Sequence, residues 1–199
     1  MLFRSLQDGF AKIRAENFIL PHVVQPWPSK GVIDLLVQRS SGQFIYAATV
    51  LKFVGADFCS PTEQLGLVLK PDPTAFSDLD QLYTQILSVY PSSVNIVQIL
   101  GIIIASRSSF PEVIEDILGM EKGKLKLVLR GLSSLAKDGN YGIGDRWNNR
   151  VIHFAHASFS DYLLNSSRSG PFHVDQQEYE KQVTMRSFAL IMQSIRSWK

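Results

Sequence analysis

Prolines and helix-capping side chains cut this chain into short pieces, and that punctuation limits its fold more than any other feature. Pro21, Pro26 and Pro28, then Pro61, Pro71 and Pro73, then Pro91 and Pro111 each lack a backbone donor, so no helix interior can contain them. Between these breaks apolar residues mostly recur at helical spacing. Leu2, Phe3, Leu6, Phe10 and Ile13 predict an amphipathic helix over Leu2 to Glu16, followed by a linker from about Asn17 to Pro28. Ser29 stands where an N-cap would begin a helix through Leu36 and Val37. Ser77 does the same for a helix carrying Leu79, Leu82, Tyr83, Ile86 and Leu87 that stops near Pro91. Ser60-Pro61-Thr62-Glu63 joins a capping serine to a first-position proline and an early acid, which predicts a helix to Leu69. Gln43 to Phe58 has almost no polar face, so its helix is expected to be buried on most sides.

The downstream pattern differs. Val94 to Ala105 is about half as long as the roughly 20 residues a membrane span needs, and it contains Asn95 and Gln98. It reads as a buried core helix. Ser109-Phe110-Pro111-Glu112 opens a second short helix, Val113 to Leu118, and a third is expected over Lys122 to Lys137 after the turn at Gly119. Asp138-Gly139-Asn140-Tyr141-Gly142 is dense in turn formers, while Arg150 to Phe154 alternates through Val151, Ile152 and Phe154 and predicts a β-hairpin. Three short helices and then a hairpin is the order of a winged helix. The expected fold is therefore mainly α: a small helical bundle, then a winged-helix domain with a short β-hairpin wing.

Composition narrows the function classes. Hydrophobic residues make up 45% of the chain, enough for a core, and 20 basic against 18 acidic residues leave a net charge of +2. So weak a field argues against nucleic acid and anionic membranes as partners of the whole chain. Cys59 is the single cysteine, which excludes an internal disulfide and any multi-cysteine zinc site and fits a cytoplasmic setting. The start Met1-Leu2-Phe3-Arg4 lacks the features of a secretory signal, so Asn165-Ser166-Ser167 reads as a chance glycosylation match.

Tests for chemistry return one residue of interest. Gly119-Met120-Glu121-Lys122-Gly123-Lys124 has three residues between its glycines where a P-loop has four. Leu125 also stands where Ser or Thr would bind magnesium, so the expectation is a plain turn between helices and no catalysis. His156, Ser158 and Asp161 are the residue types of a hydrolase triad, but Ser158 with Asp161 three positions later reads as a capping box. His153 and His156 lack a third ligand, so no metal is expected. His156 itself precedes a helix start, where a donor imidazole beside free N–H groups makes an anion or phosphate site possible. Lys122, Lys124, Lys126 and Arg130 on the third helix could alternatively meet DNA phosphates, against which Leu125, Val128, Leu129, Leu132 and Leu135 claim one face for the core.

Three stretches carry a family resemblance: Arg39-Ser40-Ser41-Gly42-Gln43-Phe44-Ile45-Tyr46-Ala47-Ala48-Thr49-Val50, Asp80-Gln81-Leu82-Tyr83-Thr84-Gln85-Ile86-Leu87, and Phe154-Ala155-His156-Ala157-Ser158-Phe159-Ser160-Asp161-Tyr162-Leu163. In order and spacing they resemble the fungal NACHT-type STAND NTPases, signalling ATPases related to NOD-like receptors. The resemblance implies four parts. Residues 1–28 would be the last helix of an NTPase core with its linker, 29–90 a helical domain, 91–165 a winged-helix domain, and 166–199 a C-terminal linker and helix. By the same resemblance His156 donates to the β-phosphate of ADP and holds a closed, inactive state. The P-loop, the magnesium-binding acids and the sensor region of that family have no counterpart here. The expectation is thus a non-catalytic regulatory segment: a truncated gene product, a gene-model fragment or a degenerate relative. It would bind ADP or ATP only with a complete NACHT core in cis or trans and oligomerise only through the full-length protein. A pure interaction module with exposed apolar helices is the remaining alternative, and poor solubility in isolation is expected from the Gln43 to Phe58 helix.

Overall fold

A computed structural model describes the chain apart from residues 18–19, 21–25, 58, 72–74, 76, 91–94, 107–109, 141–149 and 198–199, and apart from the side chains of 137–140, 150, 151 and 197. Pro21, Phe58, Asp72, Pro73, Pro91, Val94, Ser109, Tyr141 and Gly142, which the sequence reading uses as breaks or boundaries, lie outside the described residues. The chain is mainly helical and divides into two compact units, Met1–Val89 and Tyr90–Lys199.

The first unit contains α1 (Leu2–Glu16), α2 (Lys30–Ser40), α3 (Phe44–Val54), α4 (Pro61–Leu69) and α5 (Asp78–Ser88). Ser29 caps α2 by accepting from the Val32 amide at 3.4 Å, and Ser77 caps α5 by accepting from the Asp80 amide at 3.2 Å. Ser60 holds the N-cap position of α4, but its hydroxyl meets that of Thr62 at 2.8 Å and bonds no helix amide. The Ser-Ser-Gly turn works through left-handed backbone at Ser41 and Gly42, which lets α2 stop and α3 start within three residues. Helix α3 packs against α1, α2, α4 and α5, so Tyr46, Ala47, Thr49, Val50, Phe53 and Val54 are buried. It ends at Val54 with Gly55 as its C-cap, earlier than the expected Phe58. Arg39 ties three elements together: its guanidinium donates to the Val68 carbonyl at 2.9 Å and lies 3.8 Å from the Asp78 carboxylate. Burial, the largest influence, holds the Tyr46 phenol above its ordinary range, although the nearby Arg39 pulls the other way.

The second unit contains α6 (Ile96–Ala105), α7 (Pro111–Leu118), α8 (Lys124–Gly131), β1 (Ala136–Asn140), β2 (Arg150–Phe154), α9 (Ala157–Leu163), α10 (Ser166–Ser169) and α11 (Gln176–Ser197). Asn95 caps α6 by accepting from the Gln98 amide at 3.1 Å, and α6 packs against α7 and α11. Two sequence expectations need correction here. The third helix ends at Gly131 and not at Lys137, because Leu132 to Leu135 form turns that deliver the chain into β1. Asp138-Gly139-Asn140, expected as a turn, lies within β1, which pairs antiparallel with β2 in a register from Ala136 opposite Phe154 to Asn140 opposite Arg150. Ladder bonds to β2 outweigh the weak strand preference of Asp, Gly and Asn. Among the described residues no helix is long and apolar enough to cross a membrane.

Exposed apolar surface sits elsewhere than expected. Helix α3 is mostly covered by its neighbours, with Phe44 at its start left exposed, whereas α11 exposes Met185, Phe188, Ile191, Met192 and Ile195, with Met185 73% and Phe188 66% accessible. Their spacing of three and four residues sets them in one stripe. Replacing Phe188 and Ile195 together by serine is expected to lower hydrophobic-dye binding and self-association of the purified chain. Stability should move by no more than about 0.5 kcal/mol per site, since these residues are already in water. Unchanged dye binding would place the exposed apolar surface elsewhere.

Candidate functional site

His156 lies between β2 and α9, and local structure fixes its backbone tightly. Just before it, the Ala155 amide donates to the Leu135 carbonyl at 2.7 Å, anchoring the exit of β2. Just after it, Phe159 packs edge-on against Phe154 at 5.2 Å between ring centres and stacks on Tyr162 at 6.3 Å, which roots α9 in the core. Between these anchors His156 is extended (φ −155°, ψ 146°) and exposed.

The imidazole is the N-cap of α9. Its Nδ1 accepts from the Ser158 amide at 3.1 Å and lies 2.7 Å from the Ser158 hydroxyl. A backbone N–H can only donate, so Nδ1 carries no proton in this arrangement and the neutral ring bears its hydrogen on Nε2. The cap works because Nδ1 is as many bonds from Cβ as Oδ1 is in asparagine or aspartate, the usual N-cap side chains. This corrects the sequence reading, in which Ser158 and Asp161 form a capping box. Ser158 is the second residue of α9, and Asp161, three residues further on, is too far along the helix to reach back to its start. The signal that would have found the true cap is a histidine in the slot where Asn or Asp normally stands.

The Ser158–His156 pair has the separation of a nucleophile and its base, but the Nδ1 lone pair already serves the Ser158 amide. His153 is half-buried on β2. Among the described residues no group of three or more His, Cys, Asp or Glu side chains is placed to hold a metal.

The Gly119 to Lys124 segment forms a turn with left-handed backbone at both Gly119 (φ 64°) and Gly123 (φ 85°), ending α7 and starting α8. Lys122 is engaged with the Asp116 carboxylate, and Leu125 is fully buried. Lys124, Lys126 and Arg130 lie on the exposed side of α8, opposite buried Leu125, Val128 and Leu129. One residue with no sequence signal also lies here. Glu115 is buried on α7, and its Oε1 accepts from the Leu125 amide at 3.0 Å, so it caps α8 from a neighbouring helix.

No family model, curated protein or solved structure matches this chain.

Proposed function

We propose that this chain is a non-catalytic regulatory segment of a NACHT- or STAND-type signalling NTPase that works in the cytoplasm. In this reading α6, α7, α8 and the β1–β2 pair make up a winged helix. His156 at its end senses the nucleotide held by a P-loop core. The observation that carries the reading is the capped imidazole: Nδ1 is spent on α9, so Nε2–H is a donor of fixed direction on an exposed ring. At seven residues α9 adds little helix-terminal field, so the ring itself is what a diphosphate would meet. A donor that reaches ADP in one arrangement of the domains and not in the other biases a two-state equilibrium by its differential contact alone.

The test separates cap from contact. The gene upstream of Met1 is read for Gly-x-x-x-x-Gly-Lys-Ser/Thr, and the joined protein is assayed for ADP retained through gel filtration. His156→Ala is expected to lose the cap, at about 1 kcal/mol of stability, and to release ADP about tenfold faster. His156→Asn restores an acceptor at the capping position and so regains the stability, yet it still releases ADP faster because it has no Nε2. Equal ADP retention by all three proteins would sink the reading.

DNA binding is the second reading, favoured by the exposed Lys124, Lys126 and Arg130 of α8. Lys122 is already engaged by Asp116 and Arg130 also has a partner within the chain, so this face offers too little positive charge for tight duplex binding at physiological salt. Fluorescence anisotropy with a labelled duplex is expected to show no salt-dependent association.

A further inference from the structure

Helix α11 of the second unit changes character half-way along. It packs on α6 and α7, with the Tyr179 ring set closely beside Gly101 of α6. Phe188 and Ile195 follow Tyr179 by about two and a half and four and a half helical turns, so both lie on the side turned away from α6. Up to Thr184 that outward side is polar, with Gln177, Lys181 and Thr184 exposed. From Met185 onward it is the apolar stripe of Met185, Phe188, Ile191, Met192 and Ile195. Phe188 to Arg196 are exposed without a break. A helical end of that length is marginal in water by itself, so a surface that takes up the stripe also holds the backbone.

Charge follows the same division. Glu178 and Glu180 stand in the first turns of α11, whereas Lys181 to Lys199 contains no acid and four basic residues, Lys181, Arg186, Arg196 and Lys199. This stretch is more positive than the chain as a whole, whose net charge is +2. Lys181 lies one turn before Met185 and Arg196 one turn after Met192, so a cation stands at each end of the stripe. Among the described residues Arg186 and Arg196 take part in no ion pair.

We propose that the second half of α11, from Lys181 to Arg196, binds an anionic lipid surface and lies along it with the stripe at the boundary between headgroups and acyl chains. The stripe faces away from α6, so a flat surface reaches it without disturbing that packing. The basic side chains keep their charges among the headgroup phosphates while their stems follow the apolar layer. The contact is interfacial, since no helix among the described residues is long and apolar enough to cross a membrane. Two requirements select this occupant: it must take a continuous apolar row, and it must carry negative charge. A second copy of the chain meets only the first. In water the stripe drives loose self-association, but the copy brings the same cations and no acid from this stretch to meet them.

The full chain is floated through a density gradient with vesicles, a format that leaves aggregated protein behind. Binding is expected to vesicles of phosphatidylcholine mixed with phosphatidylserine, and to be at least about tenfold weaker to phosphatidylcholine alone. Raising the salt should release the chain from the mixed vesicles. Phe188→Ser with Ile195→Ser is expected to weaken binding at least about tenfold, because the inserted apolar area is lost. Arg186→Gln with Arg196→Gln should weaken it about tenfold on mixed vesicles and little on neutral ones. All four side chains are exposed, so circular dichroism should show an unchanged fold. The proposal is overturned if the unaltered chain does not float, if neutral and mixed vesicles bind it equally, or if the serine pair floats as well as the unaltered chain. It is also overturned if light scattering shows a discrete dimer that the serine pair dissociates and that vesicles leave intact, which assigns the stripe to a second copy.

Discussion

Truncating Leu100 to alanine is expected to lower the unfolding free energy by about 2–5 kcal/mol, among the largest effects of any single side-chain deletion in this chain. Leu100 is fully buried on α6, the helix of the second unit that meets both α7 and α11. The loss combines the transfer free energy of the removed carbons with the cavity left where neighbouring helices cannot close the gap. Urea unfolding with an unchanged slope would attribute the shift to stability and not to a changed denatured state. Amide exchange should show the opening spread over α6, α7 and the first turns of α11. The half-exposed Val97 on the same helix provides the comparison, and its alanine variant is expected to cost about 1 kcal/mol or less. If Leu100→Ala cost as little as Val97→Ala, α6 would not be the centre of this unit.

Helix starts were legible in the sequence because capping is local chemistry. Ser29 and Ser77 each bond the amide three residues on, and nothing outside the segment is needed to place them. Helix ends and strands were less legible, because partners far along the chain decide them. The run through Lys137 keeps a helical pattern in its apolar residues, yet pairing with Arg150–Phe154 draws Ala136–Asn140 into a strand that its own residues do not favour. The candidate site divides the same way. That His156 stands at a helix start could be read from Ser158 and the Asp161 three residues on. That the ring itself is the cap could not, because a serine two residues on offered a more familiar one. Glu115 gave no signal at all, since its role depends on α8 folding back so that the Leu125 amide points at it.

The attachment of α11 rests on a close approach that only glycine permits. A Cβ at Gly101 would come within 2.5 Å of the Tyr179 ring, so Gly101→Val must push that ring out of its seat on α6. The expected cost is about 1–3 kcal/mol, and Tyr179→Ala in the same chain should recover part of it, because the clash and its partner are removed together. The phenol supplies a second readout. Burial first, and the Glu178 charge second, raise the Tyr179 phenol above its ordinary value of 10.0. The folded chain thus favours the neutral ring. Its contribution to stability is fully present below pH 10.0 and is lost as pH rises through the raised folded value. In Gly101→Val the displaced ring regains water while Glu178 stays beside it, so its titration should fall back toward the ordinary value without quite reaching it. Phenolate absorbance, taken as the difference from Tyr179→Phe in each background, measures this directly. A titration and a stability both unchanged by valine would mean that α11 is held on α6 by contacts other than this ring.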